Sequence, residues 1–258
     1  MNKEVKKGRI PMTSQQEWND FAATYAQVQR ESRLPIETDV TSYLQTLFPL
    51  AELTVADIAA GTGRYALPLS GVSPAVELID WAPNMLKLAD HWLKAHHRAN
   101  YTLTVADWHT LPKRPRADLI FVSQLPTLTP DNLPTLQAFG RRALILNLQT
   151  QATSSLLAQM AHRLKMAIPV QPQYDPQRTR TITDYLTTNQ IPFSTHEFHY
   201  TLTDQASVGE LLPNFARPFS VNQANQLAGQ ITGTANANQM TTVNLDYRFR
   251  LLVIPHEH

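Results

Sequence analysis

Val55-Ala56-Asp57-Ile58-Ala59-Ala60-Gly61-Thr62-Gly63-Arg64 is an apolar run that ends in a glycine-bearing turn. The apolar part, Leu53–Ile58, reads as a strand, and the turn opens a helix expected over Arg64–Ser70. Two glycines let the backbone pass close to a ligand and adopt positive φ. The helix start presents free N–H groups beside that ligand. Such a loop suits a nucleotide-shaped cofactor, yet an ordinary tight turn uses the same residues. The strict dinucleotide fingerprint G-x-G-x-x-G fails here. Counted from Gly61 it ends on Ala66, which only the looser alanine form allows; counted from Ala59 it begins on alanine and ends on Arg64. No Lys-Ser/Thr follows, so the P-loop pattern fails too.

Outward from the loop, short apolar runs alternate with longer amphipathic stretches. Strands are expected at Leu53–Ile58, Ala75–Ile79, Tyr101–Ala106, Leu119–Ser123 and Ala143–Leu148. Helices are expected at Pro83–His97, Pro130–Phe139 and Gln151–Met166. Leu119-Ile120-Phe121-Val122 and Ala143-Leu144-Ile145-Leu146 are continuous apolar runs, as strands buried on both faces require. Repeated β-α units imply a parallel, doubly wound sheet with right-handed crossovers. Upstream, Ser14 is a candidate N-cap for a helix striped by Trp18, Phe21, Ala22, Tyr25 and Val28, and a second helix follows over Thr38–Phe48. Downstream, the proline-rich stretch Ile168–Arg180 reads as a loop or lid, followed by a helix over Thr181–Asn189. Ser194–Leu202 and Val243–Ile254 alternate and read as a paired sixth and seventh strand. The long connection between them holds helices near Val208–Phe215 and Gln223–Ile231.

The bulk composition is permissive. The 258 residues are 43% hydrophobic and 17% charged, enough for a sizeable core. Net charge is +1, from 22 basic and 21 acidic residues, so nothing demands a polyanionic partner. The absence of cysteine excludes disulfides, thiolate zinc sites and cysteine nucleophiles, and fits a reducing compartment. Residues 1–12 read as a flexible tail without the apolar core of a signal peptide, and no run approaches the ~20 residues that span a bilayer. A cytoplasmic location is expected, with no membrane contact and no metal. The sequence is silent on oligomeric state.

Asp80 closes the second strand about 20 residues beyond Asp57, where a carboxylate in a dinucleotide fold takes both ribose hydroxyls. An Asx-turn or helix cap before Pro83 is the other reading of the same residue. Three stretches together carry a resemblance. They are the opening one, then Leu78-Ile79-Asp80-Trp81-Ala82-Pro83-Asn84-Met85-Leu86, then Val105-Ala106-Asp107-Trp108-His109-Thr110-Leu111-Pro112. In this order and spacing the chain resembles the class I S-adenosylmethionine (SAM)-dependent methyltransferases, in particular the small-molecule, ubiquinone-biosynthesis-like group. The resemblance covers roughly residues 50–125. It implies a Rossmann-like α/β fold of seven strands, six parallel and the last antiparallel. The N-terminal helices and a C-terminal helical insertion would form a lid. Residues 13–258 would then be a single domain, with a SAM-binding core at about 50–150 and lid or substrate elements at 13–48, 168–190 and 203–242.

The resemblance also implies roles. Asp57 and the backbone of Ala59, Ala60 and Gly61, with Gly63 completing the turn, would hold the methionine end of SAM. Asp80 would hold the ribose, Trp81 and Met85 would flank the adenine, and Asp107 would accept from its amino group beside the Trp108 backbone. Ser123 would sit near the sulfonium, and Tyr25 would cover the cofactor. Ala59 departs from the family's usual first glycine, which removes φ freedom.

Methyl transfer from a sulfonium is an in-line displacement of an already activated group, so positioning and water exclusion dominate. A base is needed only if the acceptor must lose a proton; His109 is the candidate, a solvated loop residue the alternative. Tyr174, Arg178 and Arg180 could bind an anionic acceptor or simply be solvated. The fourth strand ends Ser123-Gln124-Leu125-Pro126, without the Asn/Asp-Pro-Pro-aromatic motif of the nucleic-acid amine enzymes in the resembled family. Nucleic acid is therefore not indicated, and a small-molecule acceptor is expected. Two alternatives stay open: a protein or RNA acceptor, and a SAM-binding regulatory or partner subunit without catalysis.

Overall fold

The computed structural model describes residues 14–169 and 175–256; the expected tail at 1–12 and Tyr174 lie outside the described residues. In chain order the elements are α1 (Gln15–Arg30), α2 (Ile36–Leu47), β1 (Val55–Ile58), α3 (Ala66–Leu69), β2 (Val76–Asp80), α4 (Pro83–Ala95) and β3 (Tyr101–Val105). Then come β4 (Ala117–Ser123), α5 (Leu133–Ala138), β5 (Gly140–Ser154), α6 (Ser155–Leu164), α7 (Pro176–Thr188), β6 (Ser194–Ala206), α8 (Val208–Leu211), α9 (Val221–Thr232) and β7 (Thr241–Pro255). The strands form one seven-stranded sheet in the order β3-β2-β1-β4-β5-β7-β6. β1 to β5 pair in parallel, and β7 runs antiparallel. The strand order reverses between β1 and β4. In open α/β sheets the crevice at the carboxyl ends of two such strands is where ligands bind.

The described residues fall into two compact units. One comprises those of Met12–Leu148, Gln177–Phe198 and Arg250–His258; the other those of Gln149–Pro176 and His199–Phe249. The first unit is built around the parallel strands. β1 is buried along its whole length, level with β2 through the pair Asp57 and Leu78 and with β4 through Asp57 and Phe121. Ile58, Ile79, Ile120, Leu144 and Leu146 fill its core with Leu136, Phe139, Ile182 and Leu186. At ~25 cal/mol per Å² of apolar surface removed from water, such side chains each contribute about 1.5–3 kcal/mol. The second unit has its own core of Leu156, Met160, Val208, Leu227, Ala228 and Val243.

Local chemistry explains several boundaries. Ser14 caps α1, its hydroxyl accepting from Glu17 N at 3.2 Å while Glu17 accepts from Ser14 N at 2.9 Å. This reciprocal box is worth about 1 kcal/mol. Three expectations need correction. β5 continues to Ser154, and α6 begins only at Ser155, not at Gln151. Its polar end is held by ladder-side contacts: Thr150 Oγ1 donates to Arg248 O at 3.2 Å and Gln151 Nε2 to Asp246 Oδ1 at 2.6 Å. Part of the expected 168–180 loop is helix, because α7 starts at Pro176, whose fixed φ and missing N–H suit a first helical position. The helix after the glycine turn shrinks to Ala66–Leu69 with Pro68 inside it.

Candidate functional site

The glycine turn is set by its backbone. Ala59, Gly61 and Gly63 all have positive φ, at 57°, 55° and 81°. Ala60 N donates to Ile79 O, tying the turn to β2, and Gly63 N donates back to Ala60 O, both at 3.1 Å. Ala59 thus adopts the left-handed geometry that glycine would take without strain. For an L-residue this costs roughly 1–2 kcal/mol. Gly63 is required by packing as well: a Cβ there would lie 3.0 Å from the Ala89 Cβ on α4. Around the turn, Thr62 Oγ1 donates to Gln29 Oε1 at 2.8 Å, and Arg64 bonds Glu37, Ser32 and the Leu34 carbonyl. These bonds pin α1 and the start of α2 onto the loop.

A cavity of about 280 Å³ opens at the carboxyl ends of four strands. β1 supplies Ala59 and Gly61, β2 Asp80 and Trp81, β3 Ala106 to His109, and β4 Ser123 to Thr127; α1 adds Trp18 and Tyr25, and α4 adds Met85. Of the residues named from sequence, Tyr25, Ala59, Gly61, Asp80, Trp81, Met85, Asp107, Trp108, Ser123 and His109 share this wall. Asp57, Ala60 and Gly63 do not; they stand behind it and shape it. Trp18 and Gln124-Leu125-Pro126-Thr127 line it without having been singled out as site residues. Gln124 carried a readable signal only in hindsight, since its positive φ of 51° follows from a sharp exit off β4. Ala59 and Gln124 are two non-glycine residues held in strained geometry, and both face the same cavity. Such strain tends to gather at binding sites.

The electrostatics centre on two carboxylates. Asp80 is 7% exposed; its Oδ2 accepts from Gly61 N at 2.9 Å and its Oδ1 from Ala82 N at 2.8 Å. The second bond is the Asx-turn into α4, so this reading of Asp80 is realised. Burial raises its pKa, opposed by the bonds from Ala82 and Gly61. Asp57 is 2% exposed, and among the described residues no side chain or backbone group donates to its carboxylate. Burial first, and the neighbouring Asp80 charge second, push it well above the usual carboxylate range. Burial likewise lifts the Tyr25 phenol to about 12. Its ring meets Trp18 edge-on at 5.9 Å.

Two further arrangements frame the cavity. Asp107 Oδ1 accepts from His109 N at 3.0 Å and pairs with His109 Nδ1 at 2.8 Å, and the imidazole stacks on Trp108 at 3.7 Å. With Nδ1 engaged, Nε2 is the nitrogen left to exchange a proton. Behind β4, the buried Asn147 donates through Nδ2 to Tyr65 Oη at 2.7 Å and to Ser123 Oγ at 3.1 Å, and its backbone carbonyl accepts from Gln124 N at 2.9 Å. Neither Tyr65 nor Asn147 was legible as a site residue, because a lone asparagine in an apolar strand gives no pattern.

Residues 55–144 match the family model of a methyltransferase domain. Over that stretch the chain is similar to the class I SAM-dependent methyltransferases. Several solved structures share the fold. One is a magnesium protoporphyrin IX methyltransferase from Synechocystis PCC 6803 with bound S-adenosylhomocysteine (SAH), at 14% identity and TM-score 0.50, covering 96% of this chain and 90% of that one. The YcgJ protein from Bacillus subtilis is similar at 16% identity and TM-score 0.52, over 84% of this chain and 97% of its own. A tRNA (m1A58) methyltransferase from Aquifex aeolicus aligns at 11% identity and TM-score 0.50, over 88% and 72%. No curated protein matches this chain in sequence. Among the described residues, no helix is long and apolar enough to cross a membrane.

Proposed function

We propose that the chain binds SAM in the cavity at the ends of β1 to β4 and transfers its methyl group to a small-molecule acceptor. The observation that carries this reading is the cavity itself: an aromatic and apolar wall with one buried carboxylate, Asp80, at the β2 end. The fit is chemical. The carboxylates Asp57 and Asp80 are buried, and the Asp80 charge adds to the cost of ionising Asp57. A ligand bringing an ammonium and vicinal hydroxyls relieves that cost, whereas a phosphate would add to it. SAM supplies an activated methyl on a positively charged sulfur.

In this reading Asp80 accepts from the ribose hydroxyls on lone pairs left after its two backbone bonds. The strained turn at Ala59–Gly61 offers backbone to the methionine end, with the Asp57 charge behind it. Trp81 and Met85 flank the adenine, and Asp107 keeps Oδ2 for the amino group because Oδ1 is engaged by His109. Tyr25, neutral at all ordinary pH, covers the site from α1. Ser123, oriented by Asn147, faces the reacting end. His109 Nε2 is the group we assign to take a proton where the acceptor carries one. The room is sized for small ligands, and the nucleic-acid amine motif is missing from the end of β4.

Calorimetry with SAM and with SAH tests the cofactor, and turnover of labelled SAM with a metabolite extract tests the transfer. We expect both cofactors to bind and label to enter low-mass products. Binding of neither would sink the reading. Binding without label transfer to any small molecule would leave a SAM-responsive partner protein or a macromolecular acceptor.

A further inference from the structure

A second cavity of about 210 Å³ lies between α1, α2, α3 and α4 and shares no lining residue with the first. Three arginines line it, Arg30, Arg64 and Arg98, against one carboxylate, Glu37. Glu37 is spent on Arg64, whose Nε donates to it at 2.8 Å. The Arg30 guanidinium lies over the Trp92 ring at 4.6 Å and has no acidic partner among the described residues. The Arg98 guanidinium has no acceptor among the described residues either, and its Nε is buried from solvent. A buried donor left unpaired is costly, and an anion in the cavity would supply its missing acceptor. Gly71 is the shelf under this side chain: a Cβ there would sit 2.9 Å from Arg98 Nη2.

The cavity wall therefore carries a formal charge of +2, with two guanidinium groups that no carboxylate among the described residues neutralises. Thr62, Ser32 and Thr38 add hydroxyls, and Trp92 adds an apolar side. We propose that this cavity binds a phosphate-bearing small anion. Guanidinium groups present paired N–H donors that match tetrahedral oxyanions, and in a partly enclosed site such charge-assisted bonds are roughly twice as strong as neutral ones. Thr62, whose hydroxyl donates to Gln29, stands on the wall of this cavity and not on that of the first. The proposal is independent of SAM binding.

Inorganic pyrophosphate is the probe. Titrated into the full chain at fixed ionic strength and followed by calorimetry, it should bind at one saturable site, with citrate at least several-fold weaker. Arg98→Gln should weaken pyrophosphate about tenfold or more, and Arg30→Gln about three- to tenfold, while SAH affinity stays at the wild-type value in both. Arg98→Lys, which keeps the charge but loses the fork, should fall between wild type and Arg98→Gln and guards against a folding defect. Equal pyrophosphate affinity in wild type and both glutamine variants, citrate binding as tightly as pyrophosphate, or no saturable binding would each overturn the proposal.

Discussion

Replacing Asp80 with asparagine separates the two jobs the structure gives that residue. Its two oxygens accept from Gly61 N and Ala82 N, at 2.9 and 2.8 Å. The amide keeps one acceptor oxygen and turns an NH₂ toward the other backbone N–H. One charge-assisted bond of about 1.5–3 kcal/mol is lost outright and the other is weakened to a neutral bond of about 1 kcal/mol. Against this, a partly desolvated charge beside Asp57 is removed, which returns part of the loss. The net expectation is a destabilisation of about 1–3 kcal/mol, read as a lower midpoint with unchanged slope in urea unfolding of the first unit's signal. SAH affinity should fall further than stability alone requires, by about ten- to a hundredfold, because the ribose hydroxyls lose a charged acceptor. An unfolding midpoint within about 0.5 kcal/mol of wild type would refute the loop-anchoring argument. A destabilised protein that binds SAH with wild-type affinity would refute the ribose assignment and leave Asp80 as a turn residue only.

Other substitutions test the turn and its charges. Ala59→Gly should stabilise the protein by about 0.5–1 kcal/mol, since relief of the left-handed strain (about 1–2 kcal/mol) exceeds the extra chain entropy of glycine (about 0.5–1 kcal/mol); thermal unfolding would register a rise of about 1–3 °C. Gly63→Ala should destabilise by about 2–4 kcal/mol, because a positive φ and a 3.0 Å approach to Ala89 coincide there. Asp57 has a folded pKa raised from 3.8, so the folded state holds its proton more tightly than the unfolded one. That contribution to stability is complete below 3.8 and is lost as pH rises through the folded value. Asp57→Asn should remove this loss, so its stability advantage over wild type grows as pH rises above 3.8 in urea titrations; a pH-independent difference would contradict the assignment.

The sheet was legible because its signals are redundant. Leu119-Ile120-Phe121-Val122 is apolar on both faces, and β4 is the central strand its composition demands. The turn was legible as a pair of glycines, and Asp80 as the carboxylate that closes the next strand. What escaped has a common physical origin: contacts made by polar residues across distance. The outer half of β5 is Gln149-Thr150-Gln151-Ala152-Thr153-Ser154, whose hydrogen bonds to Asp246 and Arg248 come from nearly a hundred residues away along the chain. Pro176 looked like a loop residue because proline marks both loops and helix starts, and only the chain that follows decides. Asn147 stands beside Ser123 only because β5 lies beside β4, and it meets Tyr65 from 82 residues away along the chain.

The strain in the site is informative because of where it is absent. His97, Lys165 and Gln190 also have positive φ, but each sits just past a helix end, where a left-handed residue terminates the helix and satisfies its last carbonyls. Ala59 and Gln124 have no such excuse: each follows a parallel strand on either side of the point where the strand order reverses. A straight exit from β1 and β4 would carry both chains onward over the sheet and close the crevice. The left-handed residue turns each chain aside and opens it, and the network from Tyr65 through Asn147 to Ser123 and Gln124 N holds the β4 exit in that turn. The cavity is therefore a consequence of two strained exits rather than of missing side chains. The β4 exit is thus held by Asn147, a residue with no exposure of its own.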